Sequence, residues 1–190
     1  RYWRDWSSDV CSSDLDLLLL DVAASYANYN ADLTRTIPVN GRFTPRQRAL
    51  YDAVLRVLRA SIAGLVPGKK WRQWQDEAED LVARECVGLG LLAEADLSVK
   101  VSDPMKKPVK RYFMHGNGHP LGLDVHDVGF LNEPFAPGWV MTVEPAIYLP
   151  DEGMAVRLEN DVLITEKGVV DLMADIPIEA DAIEALMASR

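Results

Sequence analysis

The chain has 190 residues, 48% hydrophobic and 26% charged, which suits one packed domain and argues against a disordered chain. Its formal net charge of −9 argues against a nucleic-acid partner, which would select a basic surface. No apolar run approaches the roughly 20 residues of a membrane helix, and DLLLLDV is short and flanked by Asp16 and Asp21.

Residues 1–15, RYWRDWSSDVCSSDL, read unlike the rest. Ser-Ser-Asp occurs twice, no initiating Met is present, and no helix or strand period is visible. This leader resembles translated adapter sequence more than native protein, and the fold is expected over 16–190. The two cysteines, Cys11 and Cys86, lack metal-ligand spacing, so a reducing, cytoplasmic setting is expected.

From Leu17 the pattern predicts two strands, an apolar run to Leu20 and a second over Leu33–Val39, separated by a small polar turn around Ser25–Asn30. A helix follows, with Thr44 as N-cap, Pro45 at N1 and Gln47 completing a capping box. Leu50, Val54, Leu58 and Ile62 form its buried stripe, and Pro67-Gly68 ends it. A second helix is expected from about Trp71 to Leu89, with Trp74, Ala78, Leu81, Val82 and Glu85 in its inward register. SDPMKKPVKRYFM reads as a loop entering HGNGHPLGLDVHD, which holds all three histidines of the chain: His115, His119 and His126. WVMTVEPAIYL and GMAVRLENDVLIT then read as strands joined by a DEG turn, KGVVDLM as another, and the tail from Ile178 as a helix. Strands, helices, then strands, with little βαβ alternation, give an α+β class.

Within that pattern a set of oxygen and nitrogen donors stands out. A hairpin would bring Asp21, near the end of one strand, and Asp32, at the start of the next, to one end of a sheet. Glu144 and Glu159 each fall inside an otherwise apolar strand. An unpaired buried carboxylate costs several kcal/mol, so each needs a partner. Arg157 shares a strand face with Glu159, and a divalent cation would satisfy several carboxylates together. Any one of these acids alone reads as solvated or salt-bridged; the joint pattern with clustered histidines points to a metal site. Two Asp, two Glu and one His can hold two divalent ions roughly 3.5–4 Å apart. Such ligands suit Mn²⁺ or Co²⁺, with Zn²⁺ as a further option.

Four stretches, DVAASYANYNADLTRT, HGNGHPLGLDVHDVG, TVEPAIY and VRLENDVLIT, resemble in order the motifs of the pita-bread metallopeptidases: aminopeptidase P, prolidase and methionine aminopeptidase. The resemblance implies an α+β pita-bread fold with Asp21, Asp32, His119, Glu144 and Glu159 as ligands of two divalent ions, Mn²⁺ foremost. It implies that Asp32 and Glu159 bridge the metals, Asp21 chelates one, and His119 with Glu144 completes the other. His115 and His126 match residues that line the substrate pocket, Glu144 doubles as a proton carrier, and Arg157 matches a residue near the same pocket.

A histidine four residues before the ligand is similar to aminopeptidase P and prolidase, whereas methionine aminopeptidases have a shorter GHGIG form. The implied reaction is hydrolysis of the bond before proline by a water activated between two metal ions. The expected partner is a peptide with proline second, with no nucleic acid and no membrane, and with a homo-oligomer as one assembly. Prolidase action on Xaa-Pro dipeptides and a non-catalytic peptide-binding relative are the alternatives. Asn117 stands where the family often has Thr or Ser, and Asn160 where Asp is common. The family also carries a separate N-terminal domain and a histidine upstream of the first Asp ligand. Neither is found in residues 16–190, so the chain is expected to be N-terminally truncated and poorly active or unstable as written, its full-length parent being the peptidase.

Overall fold

The computed structural model describes residues 16–129 and 132–188. The adapter-like leader 1–15 lies outside them. Strand β1 (Leu17–Val22) leads to a two-residue ribbon, β2 (Ser25–Tyr26) and β3 (Tyr29–Asn30), and then to β4 (Leu33–Pro38). Ala27 and Asn28 both take positive φ, 52° and 67°, the conformation of a tight hairpin turn of the type that matches strand twist. The expected polar turn is therefore a small hairpin of its own. Beyond it β1 and β4 pair antiparallel, with Asp21 opposite Thr34 and Val22 opposite Leu33.

Helix α1 (Pro45–Ala63) has the anticipated capping box: the Gln47 N–H donates to Thr44 Oγ1, and the Thr44 N–H donates to Gln47 Oε1. Leu50, Val54 and Leu58 are buried, Ile62 half-buried. Helix α2 (Trp71–Gly88) buries Trp74, Ala78 and Val82 as expected, but Leu81 and Glu85 are only half-buried. Two polar residues, Gln75 and Glu79, are buried instead. The segment after α2 holds three short 3₁₀ turns, at Glu94–Ser98, Pro104–Lys106 and Pro108–Arg111, the last two within the stretch expected as a loop.

The later strands depart from the expectation at two informative points. The stretch around Glu144 is two strands, β5 (Val140–Val143) and β6 (Ala146–Leu149). The stretch around Glu159 is likewise β7 (Met154–Arg157) and β8 (Asn160–Thr165), followed by β9 (Gly168–Asp171) and helix α3 (Ala180–Ala188). Each glutamate sits in the break between two strands rather than within one. The breaks let one continuous segment serve two sheets: β5, β8 and β9 form one antiparallel sheet in the order β5-β8-β9, and β6 pairs with β7 in another.

The core gathers under these sheets. α1 packs on α2 and on β5, β6, β7 and β9. Trp74, Tyr51, Phe113 and Phe135 are among the largest side chains fully buried. Trp71, Trp74, Phe135 and Trp139 meet edge to face, the arrangement the ring quadrupole favours. Among the described residues no helix is long and apolar enough to cross a membrane.

Candidate metal centre

The histidine segment is laid onto β5. The Glu144 N–H donates to Asn117 O, the Thr142 N–H to His119 O, and the Leu121 N–H to Val140 O. The His119 N–H donates in turn to Thr142 Oγ1, 2.9 Å away. This approach needs Gly118: a Cβ there would lie 2.0 Å from the Thr142 carbonyl oxygen. From the other side, the Glu159 N–H donates to Thr34 O, and Thr36 Oγ1 exchanges hydrogen bonds with the Arg157 backbone. The two breaks in the strands lie side by side, the Leu158 N–H donating to Pro145 O, and both glutamates line one cavity of about 440 Å³.

Asp21, Asp32, His115, His119, His126, Glu144, Arg157 and Glu159 all line that cavity, with Gly116 and Gly118. All eight residues singled out in the sequence are thereby brought together. Ligand atoms of Asp32, His119 and Glu159 lie within 4.8 Å of one another. His119 Nε2 is 3.6 Å from Asp32 Oδ2 and 3.8 Å from Glu144 Oε1. His119 Nδ1 faces the Pro120 carbonyl at 3.0 Å, which leaves Nε2 toward the acids. The His126 ring stacks on His119 with centroids 3.8 Å apart. His115 sits at the other wall, with Nδ1 at 2.7 Å from Gly116 O and Nε2 at 2.9 Å from the Tyr148 hydroxyl.

Several partners of these residues were not singled out in the sequence. Thr34 Oγ1 donates to Glu159 Oε2 at 2.6 Å and accepts from Arg157 Nε at 3.1 Å. Arg157 Nη1 reaches the Tyr148 hydroxyl and Nη2 the Asp21 carboxylate. Asp161 Oδ2 accepts the Asp32 N–H at 3.0 Å. Period-two spacing was the available signal: Thr34 follows Asp32 by two, and Asp161 follows Glu159 by two.

The electrostatics describe a site short of positive charge. Burial, then repulsion from Asp32 and Asp21, pushes Glu144 up to about 7 even though Arg157 opposes the shift. Burial likewise pushes Glu159 up to about 8, against the hydrogen bond from Thr34 and with repulsion from Glu144, Asp32 and Asp21. Asp161 rises to about 7, chiefly by burial, and Asp32 is raised by burial and by Asp21. Burial lowers both His115 and His119, so they add little compensating charge at neutral pH. Among the described residues the one arginine lining the cavity is Arg157. Clustered oxygen donors with an imidazole nitrogen, all short of cations, fit divalent metal ions.

Comparison with known proteins agrees with this geometry. The model of metallopeptidase family M24 matches residues 6–166. Xaa-Pro aminopeptidase of Escherichia coli K12 is 39% identical over 92% of this chain and 41% of its own length. A solved structure of a putative aminopeptidase P from Bacillus anthracis superposes with a TM-score of 0.84 at 35% identity, over 93% of this chain and 40% of that one. Zinc-substituted aminopeptidase P of Escherichia coli, in complex with product, gives a TM-score of 0.79 at 38% identity, over 91% and 41%. The chain spans about two-fifths of the length of these relatives, and with them it shares the α+β pita-bread fold. By its motifs, its fold and the convergence of its acidic and imidazole donors, the chain belongs to metallopeptidase family M24.

Proposed function

We propose that residues 16–190 form the metal-binding catalytic domain of an Xaa-Pro aminopeptidase, which hydrolyses the bond between an N-terminal residue and proline. The observation that carries the reading is the convergence of Asp32, His119 and Glu159 in one cavity with Asp21 and Glu144 on its wall. Those five residues would hold two divalent ions, Mn²⁺ first, with Co²⁺ and Zn²⁺ as alternatives. When bound, such a pair supplies Lewis acidity and lowers the pKa of water.

The chain's own groups do the rest. Thr34 and Arg157 hold the Glu159 side and the Asp21 side in register. His115, oriented by Gly116 O and Tyr148, presents its ring to the substrate carbonyl, and His126, stacked on His119, lines the pocket for proline. Arg157 and Tyr148 hold a polar wall beside the same space. Glu144 lines the same cavity, where its carboxylate can take a proton from water and return it to the leaving nitrogen. The names of the relatives support this specificity. The expected setting is cytoplasmic, and the expected partner is a peptide with proline second.

The test is Mn²⁺ binding by this chain together with peptide cleavage by the longest natural form containing it. Release of the first residue from an Xaa-Pro-Xaa tripeptide should require Mn²⁺, stop on chelation, and fall at least about 100-fold in Asp32→Ala. Preference for an Xaa-Pro dipeptide would turn the reading to prolidase. Mn²⁺ binding without cleavage of either would turn it to a non-catalytic peptide-binding relative.

A further inference from the structure

Behind the histidine segment, on the side away from the cavity, α2 buries a polar chain that the metal centre does not use directly. Glu79 is 2% exposed. Its Oε1 receives Gln75 Nε2 at 3.1 Å and Lys110 Nζ at 2.9 Å, and its Oε2 receives Lys107 Nζ at 2.8 Å. Burial pushes the Glu79 carboxyl up, but the hydrogen bonds from Lys107, Lys110 and Gln75 outweigh it and hold the group below its usual range. Glu79 is thus a fixed acceptor, and it decides which end of the Gln75 amide faces it.

With Nε2 committed to Glu79, Gln75 Oε1 points the other way and accepts the Asn117 N–H at 2.7 Å. Asn117 is fully buried, and neither polar atom of its own side chain has a partner. Its side chain therefore does not fix its peptide; Gln75 does. The Asn117 carbonyl accepts the Glu144 N–H at 2.9 Å, and His119 lies two residues further on. The Asn117 backbone therefore joins the two segments that carry His119 and Glu144.

We propose that Gln75 is a positioning residue for the metal centre, its amide fixing the Asn117 peptide to which the backbones of His119 and Glu144 are anchored. The inference rests on the metal-centre reading above. A buried glutamine is a poor choice for packing alone, because a buried amide must satisfy both its ends. Here both ends are satisfied, and the pair of partners leaves one orientation.

Isosteric exchange tests this. In Gln75→Glu two carboxylates meet where an amide met a carboxylate. In Gln75→Glu/Glu79→Gln the donor is restored with the same atoms and the same net charge. Two readouts apply: Mn²⁺ affinity by calorimetry, and hydrogen exchange of the 115–119 amides in metal-free protein. Gln75→Leu should weaken Mn²⁺ binding about 10-fold and speed exchange at Asn117 about 10-fold. Gln75→Glu should do the same, and the exchanged pair should recover part of both losses, since Glu79→Gln takes a carboxylate oxygen from one of Lys107 and Lys110. In the longest natural form, kcat should fall with KM little changed.

Unchanged affinity and exchange in Gln75→Leu would overturn the inference. So would an exchanged pair no better than Gln75→Glu alone, a comparison that stands even where Gln75→Leu fails to fold. If the wild-type chain binds no Mn²⁺, the metal-centre reading fails and the positioning role fails with it. The exchange rates would then still report whether Gln75 holds Asn117.

Discussion

Gly118 is where the site is most sensitive to a single atom. The residue packs against the Thr142 backbone so closely that a methyl group would overlap its carbonyl oxygen, with Trp74 closing the other side at 3.2 Å. Neither neighbour can give way: one is backbone held in β5, the other a fully buried indole. Gly118→Ala should therefore cost about 1–3 kcal/mol of stability and displace His119, with Mn²⁺ affinity falling about 10-fold. Urea unfolding and calorimetry on the same variant check both. An alanine variant that binds Mn²⁺ like wild type would show that the His119–Thr142 contact does not set the ligand. The histidines themselves were legible in the sequence because three of them share one short glycine-rich segment. Thr34, Tyr148 and Asp161 were not, because each acquires its role only from a partner, and Thr34 meets Glu159 across 125 positions of chain.

Helix α1 shows why helices were easier to read than strands. Its signals are local: Thr44, Pro45 and Gln47 lie within four residues, and the capping box they form satisfies donors that the first turn leaves open. Thr44→Ala should cost about 1 kcal/mol in urea unfolding and leave Mn²⁺ affinity unchanged, since Thr44 does not line the cavity. A change in affinity would mean that α1 is coupled to the site after all. The strand breaks at Glu144 and Glu159 had no such local signal. Pro145 follows the first of them, yet Leu158-Glu159 contains neither Gly nor Pro. What ends β7 and starts β8 is a change of neighbour: Arg157 pairs with Ala146, whereas Asn160 pairs with Val143. Apolar alternation runs through both breaks, so the sequence reads one strand where the fold makes two. The same long-range dependence hid Gln75 and Glu79, whose burial is tolerable only because Lys107, Lys110 and Asn117 reach them from outside the helix.

Taken together, the ionisable groups give the domain a pH dependence whose sign depends on whether metal is bound. Glu144 and Asp161 are pushed to about 7 and Glu159 to about 8 in the metal-free fold. An acid raised on folding takes up a proton in the native state before the unfolded chain does, so stability falls as pH rises toward the folded value. His115 and His119 act oppositely, because their lowered values favour the unfolded state once pH drops below about 6.5. Glu79, held below its usual range, contributes stability that is lost only under more acidic conditions. Between pH 6.5 and 8 the three raised acids therefore dominate. Metal-free protein should lose at least about 1 kcal/mol of stability between pH 6.5 and pH 8.0, read from urea midpoints in chelator. With saturating Mn²⁺ the slope should reverse, because ligands must shed protons to bind and higher pH then strengthens the complex. At 100 times Kd the bound ion should add about 2.7 kcal/mol. A metal-free midpoint that is flat or rises over this interval would mean that the acids are not crowded as the fold places them. Parallel slopes with and without Mn²⁺ would mean that the ion binds somewhere other than among Asp21, Asp32, His119, Glu144 and Glu159.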